Sequence, residues 1–235
     1  MKIFDKILDA FFPPNFTCDI CGIEIFSGDN LCEKCRDTVT VNNGLTCPVC
    51  GRKTVASGLC LECKAQPPLY DKAASPLVYS GGAQKLIVKF KRGNPYLKDY
   101  FARIMYAKTA AFKDAEAVCF VPMFRRDERN RGYNQAYLLA KELSKKLNLP
   151  LLKNAVKKIK KSPSQKSLTR KERAENLKSC FKAEKSEVDG KTLILIDDVL
   201  TTGATADAVS GELKKRGAKK VYLLTVASVE YNAET

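Results

Sequence analysis

The chain has 235 residues, 45% hydrophobic and 29% charged, so it can bury a full-sized core and disorder throughout is not expected. Its 41 Lys and Arg outnumber its 26 Asp and Glu, and the net charge of +15 favours polyanionic partners such as nucleic acid or phosphorylated metabolites. Histidine is absent, which excludes Ser-His-Asp and Cys-His nucleophile systems, histidine metal ligands and an imidazole general base.

The first twelve residues predict an amphipathic helix rather than a signal peptide. Ile3, Ile7 and Phe11 recur at helical spacing before Pro13, and we expect this helix to dock on the domain rather than on a membrane surface. Charged residues interrupt the apolar segment and no small-residue cleavage site follows it, so we interpret it as mature protein. No stretch approaches the roughly 20 apolar residues that cross a bilayer, and membrane insertion is not expected.

Eight of the ten cysteines form four C-x-x-C pairs, which predict metal binding. Two such pairs complete the tetrahedral sulfur shell that zinc prefers. Ten residues separate the first two pairs and nine separate the last two, which favours two sequential zinc ribbons of four cysteines each and leaves an interleaved cross-brace open. Gly22 and Gly51 follow second cysteines and suit the positive φ of such turns. The pairs are Cys18/Cys21, Cys32/Cys35, Cys47/Cys50 and Cys60/Cys63.

The charge distribution favours a purely structural role for this zinc. Residues 1–66 hold seven Lys and Arg against eight Asp and Glu, whereas residues 67–235 carry a net charge of +16. A ribbon that grips nucleic acid is normally basic. A disulfide framework requires an oxidising compartment, and an iron-sulfur cluster usually shows less symmetrical spacing. Cys119 and Cys180 lie in apolar surroundings and are interpreted as core residues.

A domain boundary is predicted near residue 67, where the cysteine pattern ends at Gln66 and Pro67. Residues 1–66 hold the N-terminal helix and the double zinc ribbon, and residues 67–235 form a second domain in which strand-like and helix-like segments alternate. This alternation predicts an α/β fold with a parallel-sheet core and flanking helices. Strands are expected at 72–80, 117–122, 192–196 and 221–226, and helices at 81–93, 97–112, 134–147 and 205–216.

The strongest catalytic signal is the run LILIDDVLTTGAT at residues 193–205. It is typical of a buried strand, two carboxylates, a turn and a helix start, and ligands of open α/β sheets bind at the carboxyl ends of strands. The turn presents backbone N–H groups to a phosphate at the positive end of the following helix. Asp197 and Asp198 stand where they can accept hydrogen bonds from vicinal sugar hydroxyls. The arrangement predicts a ribose 5-phosphate site.

The same run matches the signature of type I phosphoribosyltransferases, which bind phosphoribosyl pyrophosphate (PRPP) with magnesium. The segments VPMFRRDERNRGYNQA and PSQKSLTRKERAENLKSCF, together with the cysteine ribbons, resemble the ComF family, which is associated with natural competence for DNA uptake. The resemblance covers nearly the whole chain. It implies a type I phosphoribosyltransferase fold behind a zinc-ribbon domain, and a bacterial, cytoplasmic setting.

By this resemblance, four residues are expected to act in catalysis: Asp197, Asp198, Arg131 and Arg173. Ten residues are expected to bind PRPP: Asp197, Asp198, Thr201, Thr202, Gly203, Ala204, Thr205, Arg125, Arg126 and Arg131. The three arginines Arg125, Arg126 and Arg131 fall in the loop after the 117–122 strand, where such enzymes bind pyrophosphate. The family pattern also marks Gln165, Arg170, Lys171, Arg173 and Asn176.

Residues 153–173 hold nine Lys and Arg and one acid, and the fold places a mobile catalytic loop there. A basic loop stabilises the charge that develops on departing pyrophosphate, and its closure excludes water from the reactive sugar. The alternative is a solvated basic linker, which we favour for Lys157, Lys158, Lys160 and Lys161 taken singly.

Two functions therefore remain. The first is phosphoribosyl transfer from PRPP to an unknown acceptor, with zinc in two structural sites and magnesium bound with PRPP. The second is a non-catalytic, PRPP-sensing factor that holds single-stranded DNA on its basic face and acts with other competence proteins such as a DNA helicase. A PRPP-responsive regulator is a weaker third hypothesis, because no helix-turn-helix pattern is evident.

Overall fold

The computed structural model describes residues 17–25, 29–160, 177 and 179–230. The predicted N-terminal helix lies outside these residues. Among the helices of the described ranges, none combines the length and the apolar character that crossing a bilayer requires.

A parallel sheet forms the centre of the α/β core, as the alternation of segments predicted. Its strands lie in the order β1, β7, β6, β3, and β2 also pairs with β7. A separate antiparallel pair is formed by β4 and β5. The strands are β1 (Lys72–Ala74), β2 (Leu77–Val78), β3 (Ala117–Phe120), β4 (Val156–Lys158), β5 (Phe181–Ala183), β6 (Thr192–Leu200) and β7 (Lys220–Ser228).

Helices flank this sheet and short helices follow the cysteine pairs. The α-helices of the described residues are α1 (Glu33–Arg36), α2 (Leu61–Ala65), α3 (Gly81–Lys91), α4 (Leu97–Tyr106), α5 (Arg125–Arg131), α6 (Gln135–Leu147), α7 (Lys185–Val188) and α8 (Ala204–Lys215). Helix α4 ends six residues earlier than expected, and a 3-10 turn at Thr109–Ala111 occupies part of the remainder. Asn134 precedes α6 as its N-cap and accepts a hydrogen bond from Tyr137 N at 3.4 Å.

The sheet is buried on both faces because its central strands, β6 and β7, are mostly apolar. Side chains of a strand alternate between its faces. Leu193 and Leu195 of β6 pack in one core with α8, whereas Ile194 and Ile196 pack in a second core with α3, α4 and α6. The result is a helix, sheet, helix sandwich, and β6 lies inside it between β3 and β7.

All four predicted strands differ from their predicted extent: β3 ends two residues earlier, at Phe120, and β7 is longer, at Lys220–Ser228. The segment 72–80 is one extended entry in the sequence, but the structure divides it into β1 and β2 at Ser75 and Pro76. Proline has no N–H to donate to β7, so the ladder is interrupted there. Strand β6 continues to Leu200, and its register pairs Asp197 with Thr225 of β7. The two carboxylates are therefore part of the strand rather than of the turn that follows it.

The cysteine-rich region packs directly on the α/β core. The backbone N–H of Ala73 in β1 donates to Val49 O at 2.7 Å. Asp19, beside the first cysteine, is buried and its Oδ1 accepts hydrogen bonds at 2.8 Å from Lys89 Nζ of α3 and from Tyr96 Oη. Each four-cysteine group thus has its own attachment to the second half of the chain.

Candidate active site and metal centres

The eight paired cysteines gather into two groups, and the grouping is sequential. The Sγ atoms of Cys18, Cys21, Cys32 and Cys35 lie within 4.8 Å of one another, and so do those of Cys47, Cys50, Cys60 and Cys63. The interleaved cross-brace is not the arrangement present. Ten free cysteines fall within the described residues, so the disulfide framework is not formed either. Cys119 and Cys180 are buried core residues, as expected.

The spacing of the sulfur atoms fits zinc. A tetrahedron with Zn–S bonds of about 2.3 Å has edges of about 3.8 Å. Cys21 Sγ and Cys32 Sγ are 3.8 Å apart, and Cys50 Sγ and Cys60 Sγ are 3.7 Å apart. Gly22 and Gly51 have φ of 75° and 66°. Their positive φ lets each turn fold back so that the glycine N–H bonds the carbonyl of the first cysteine of its pair.

Asp197 and Asp198 leave the end of β6 toward different surroundings. Asp197 lines a small cavity beside the 201–205 turn. Asp198 has Oδ2 2.9 Å from Lys91 Nζ at the end of α3. Because neighbouring residues of a strand point to opposite faces, the two carboxylates lie in different surroundings. The backbone N–H of Asp198 donates to Asp197 Oδ1 at 2.8 Å and links them.

Burial and the charge of Asp198 raise the pKa of Asp197 to about 7. The Asp198 N–H, Lys91 and Lys158 act in the opposite direction, because each favours the ionised carboxylate. A carboxyl group with this pKa changes its charge near neutral pH. In the ligand-free chain, Asp197 is therefore only partly ionised at pH 7.

The strand β6 is followed by a turn and a helix start, as the sequence predicted. Gly203 has φ of 82° and is the N-cap of α8, a twelve-residue helix. The first backbone N–H groups of a helix have no partner within it, and they favour anions. Thr201, Thr202, Gly203, Ala204 and Thr205 line the same cavity as Asp197. The structure thus brings one carboxylate and five turn residues to one place.

The segment predicted as a pyrophosphate loop is helical in the structure. Helix α5 spans Arg125–Arg131 and ends at Gly132, whose φ is 89°. Arg125 and Arg126 line an open groove of about 790 Å³ at the carboxyl end of β3. Arg131 is not among the residues that line this groove, and its Nη1 donates to Gln135 Oε1 at 2.8 Å. Two of the three arginines therefore line this groove, and the third does not.

The basic segment 153–173 begins as β4 of the antiparallel pair. Lys153, Lys157 and Lys158 line the groove that holds Arg125 and Arg126. Lys158 Nζ lies 5.5 Å from the centroid of the Phe181 ring of β5 and acts electrostatically on Asp197. The solvated-linker interpretation is thus wrong for Lys158. Residues 161–176 lie outside the described residues, and they include Gln165, Arg173 and Asn176.

Three residues at the site were not expected from the sequence: Lys91, Lys158 and Arg52. Lys91 pairs with a carboxylate more than a hundred residues away. Arg52 belongs to the second cysteine group, and its Nη2 donates to the backbone carbonyl of Thr201. No local motif marks such contacts. The one sequence signal for Lys158 was its basic surroundings, which do not distinguish it from Lys157.

Two family models match the chain. The model described as phosphoribosyl transferase domain matches residues 134–234, and the model described as double zinc ribbon domain matches residues 7–64. The first range includes Asp197, Asp198 and the 201–205 turn. The second includes all eight paired cysteines.

The chain is also similar to known proteins and to solved structures. Competence protein F of Haemophilus influenzae is 33% identical over 224 residues, which cover 91% of this chain and 97% of that protein. DNA utilization protein YhgH of Escherichia coli K12 is 28% identical over 213 residues, covering 87% and 93%. Glutamine phosphoribosylpyrophosphate amidotransferase from B. subtilis aligns over 55% of this chain and 26% of its own, with 18% identity and a TM-score of 0.40.

The similarity to competence protein F extends over nearly all of both chains, and the two domain models match in the order of the cysteine groups and the parallel sheet. The chain therefore belongs to the ComF family of competence proteins, with a phosphoribosyltransferase-type α/β domain behind a double zinc ribbon.

Proposed function

We propose that this protein binds PRPP with Mg²⁺ and transfers the 5-phosphoribosyl group to an acceptor with release of pyrophosphate. The observation that carries this proposal is that Asp197 and Thr201–Thr205 line the same cavity. The 5-phosphate accepts hydrogen bonds from the backbone N–H groups at the start of α8. The ionised Asp197 accepts hydrogen bonds from the ribose hydroxyls.

The carboxylate pair also fits the magnesium that PRPP requires. Mg²⁺ prefers oxygen ligands and is commonly bound through one or two carboxylates and substrate phosphates. Asp197 and Asp198 are the carboxylates at this strand end, and they would hold the ion or its water ligands. When bound, Mg²⁺ neutralises charge that develops on the leaving pyrophosphate. Lys91 holds Asp198 in place before any ligand arrives.

In the transfer step, a lone pair of the acceptor forms a bond to the anomeric carbon while the anomeric C–O bond breaks. The bonding electrons leave with pyrophosphate, which gains negative charge. Arg125, Arg126 and Lys158 lie around one groove and supply positive charge to this leaving group. We assign this role to them ahead of Arg131, which is engaged by Gln135. We retain Arg173 as a catalytic candidate on the family pattern alone.

The proposal is tested by calorimetric titration of PRPP with Mg²⁺ into the full chain. Wild type should bind, whereas Asp197→Asn should lose PRPP affinity because a neutral amide accepts hydrogen bonds from the ribose hydroxyls more weakly than a carboxylate. Asp37→Asn, an exposed acid in the first cysteine group, is the matched control and should bind as wild type does. Absence of PRPP binding by wild type would overturn the proposal. Pyrophosphate release in the presence of candidate acceptors then separates transfer from binding alone.

We propose a second function, the handling of single-stranded DNA, because the groove of about 790 Å³ combines charge and aromatic surface. Six basic side chains and one acidic side chain line it, together with Phe120, Phe124 and Tyr137. Single-stranded nucleic acid is held by positive grooves whose aromatic rings stack with bases. The names of two relatives, a competence protein and a DNA utilization protein, support this proposal. We expect partners among other competence proteins, such as a DNA helicase.

We further propose that the protein acts in the cytoplasm of a bacterium. All ten cysteines are free thiols, and eight of them form metal-binding groups rather than disulfides. Thiols persist in reducing compartments. Fractionation of cells that produce the full chain, with zinc content measured in the recovered protein, tests this location.

A further inference from the structure

The second cysteine group makes a direct contact with the turn that we propose binds the 5-phosphate. Arg52, two residues after Cys50, is only 4% exposed. Its Nη1 lies 2.5 Å from Glu62 Oε2, and Glu62 stands between Cys60 and Cys63. Its Nη2 donates to Thr201 O, 149 residues further along the chain. One guanidinium group thus joins the two halves of this cysteine group to the phosphate-binding turn.

The position of Arg52 depends on the fold of the cysteine group. Cys47 N donates to Arg52 O at 2.9 Å, which closes the turn that carries the first two sulfur ligands. Gly51 stands against β1 so closely that an added Cβ would lie 2.4 Å from Ala73 O. The turn is therefore fixed on one side by the metal ligands and on the other by the sheet. The fixed backbone of this turn therefore sets the direction in which the Arg52 side chain extends.

The hydrogen bond from Arg52 orients a peptide group of the phosphate-binding turn. In a trans peptide the C=O and the N–H point in opposite directions. Because Arg52 draws the carbonyl of Thr201 toward the cysteine group, the N–H of Thr202 points away from it. A Cβ added to Gly203 would stand 4.0 Å from both Arg52 Nη2 and Tyr70 Oη, so the same surface also backs the next peptide.

We propose that Arg52 is a positioning residue through which the metal-bound fold of the second cysteine group orients the phosphate-binding turn. Zinc at Cys47, Cys50, Cys60 and Cys63 then supports 5-phosphate binding. The first cysteine group contributes no such residue among those described, since its Arg36 contacts Asp29 on the exposed surface at 2.8 Å. This inference rests on the proposed function of the 201–205 turn.

The test separates the two ends of the PRPP site by titrating ribose 5-phosphate and magnesium pyrophosphate separately into the full chain. Arg52→Met should weaken ribose 5-phosphate binding by about 10- to 100-fold, the effect of losing a hydrogen bond from a charged group, and change pyrophosphate affinity less than about twofold. Arg52→Lys, which keeps one charged donor, should recover part of the loss. Arg36→Met is the matched control and should bind both probes as wild type does.

Two results would overturn the inference. One is unchanged ribose 5-phosphate affinity in Arg52→Met. The other is an equal loss of both probes, which would indicate a general structural role. Zinc content is measured on each variant. If Arg52→Met loses its zinc, the ribose 5-phosphate affinities of Arg52→Lys and Glu62→Gln test the inference instead. Glu62→Gln keeps the donor to Thr201, so its effect on ribose 5-phosphate should be smaller than that of Arg52→Met.

Hydrogen exchange distinguishes failure of this inference from failure of the proposed function. In the ligand-free chain, the backbone amides of residues 202–205 should exchange faster in Arg52→Met than in wild type, whereas the amides of β6 should not change. If wild type binds neither phosphate probe, the proposed function fails. The exchange comparison still tests whether Arg52 orders the turn, and equal exchange rates in both proteins would contradict that role.

Discussion

Lys91 Nζ lies 2.9 Å from Asp198 Oδ2, so a lysine at the end of α3 pairs with the second carboxylate of β6. Asp197, its neighbour, has no such lysine at salt-bridge distance among the described residues, and its pKa is raised to about 7. Two adjacent aspartates of one motif thus have different neighbours. We expect this asymmetry to govern how the site responds to pH.

The affinity for PRPP with Mg²⁺ should fall as pH decreases through about 7, because Asp197 then becomes protonated and accepts hydrogen bonds less well. Lys91→Met removes a positive charge that lowers the pKa of Asp197, so the pH midpoint of binding should move upward by about one unit. Calorimetric titration across pH 5.5 to about 9 measures both midpoints.

The matched control for this shift is Lys85→Met, since Lys85 is an exposed residue of the same helix. It should leave the midpoint unchanged. The ionisation of PRPP itself contributes equally to all three proteins and cancels in the comparison. Equal midpoints for wild type and Lys91→Met would show that Lys91 does not act on the carboxylate pair.

Asp197→Asn should stabilise the ligand-free protein at pH 8 by about 1 to 3 kcal/mol. The folded pKa of Asp197 is about 7 and the ordinary value is 3.8, so the folded state binds the proton more tightly and loses stability as pH rises between these values. Partial solvent access reduces the full effect. At pH 5 most of Asp197 is protonated in the folded state, and the stabilisation should be much smaller there.

Thermal or denaturant unfolding of both proteins at pH 5 and pH 8 checks this expectation. A lower melting temperature for Asp197→Asn at pH 8 would mean that the ionised carboxylate is stabilised by contacts within the fold. Loss of PRPP affinity together with gained stability would instead identify Asp197 as a residue kept for function at a cost in stability.

Purified protein should contain two zinc ions per chain, because two groups of four sulfur atoms have the required spacing. Cys50→Ala should remove one of the two ions and weaken the packing of Val49 against β1. Cys119→Ala is the control, because Cys119 is buried outside both groups. This variant should retain two zinc ions. Elemental analysis measures the content, and one ion per chain in wild type would contradict the two-site arrangement.

Binding of single-stranded DNA should weaken steeply with salt if the basic groove holds it. Arg125→Gln with Arg126→Gln removes two groove charges, which should reduce the magnitude of the slope of log K against log salt by about 1.4, or roughly 0.7 for each phosphate that is no longer neutralised. Fluorescence anisotropy with a labelled oligonucleotide between about 50 and 200 mM salt measures the slope.

The matched control has the same change in net charge at another surface. Lys145 and Lys146 lie in the last turn of α6 and do not line the groove. Replacing both with Gln should change the slope much less. If both double variants lose the same slope, binding follows the overall charge rather than the groove.

Local patterns were sufficient for much of this protein. Alternating apolar and α-helical segments predicted the parallel sheet, and the run at 193–205 predicted the strand, the turn with Gly203 and the start of α8, because each depends on residues adjacent in the chain. The four C-x-x-C pairs predicted both metal groups for the same reason, and the shorter gaps favoured the sequential pairing that the sulfur positions confirm.

Only the tertiary structure decided which distant residues meet at the site. Three interactions join segments that are far apart in sequence and carry no shared motif. Lys91 pairs with Asp198, Lys158 acts electrostatically on Asp197, and Arg52 donates a hydrogen bond to Thr201. Asp198 pairs with Lys91 whereas Asp197 lines the cavity, and Arg131 bonds Gln135 whereas Arg125 lines the groove. The residue types at the site follow from local sequence, whereas their partners and their ionisation follow from packing, since burial and neighbouring charge exist only in the folded chain.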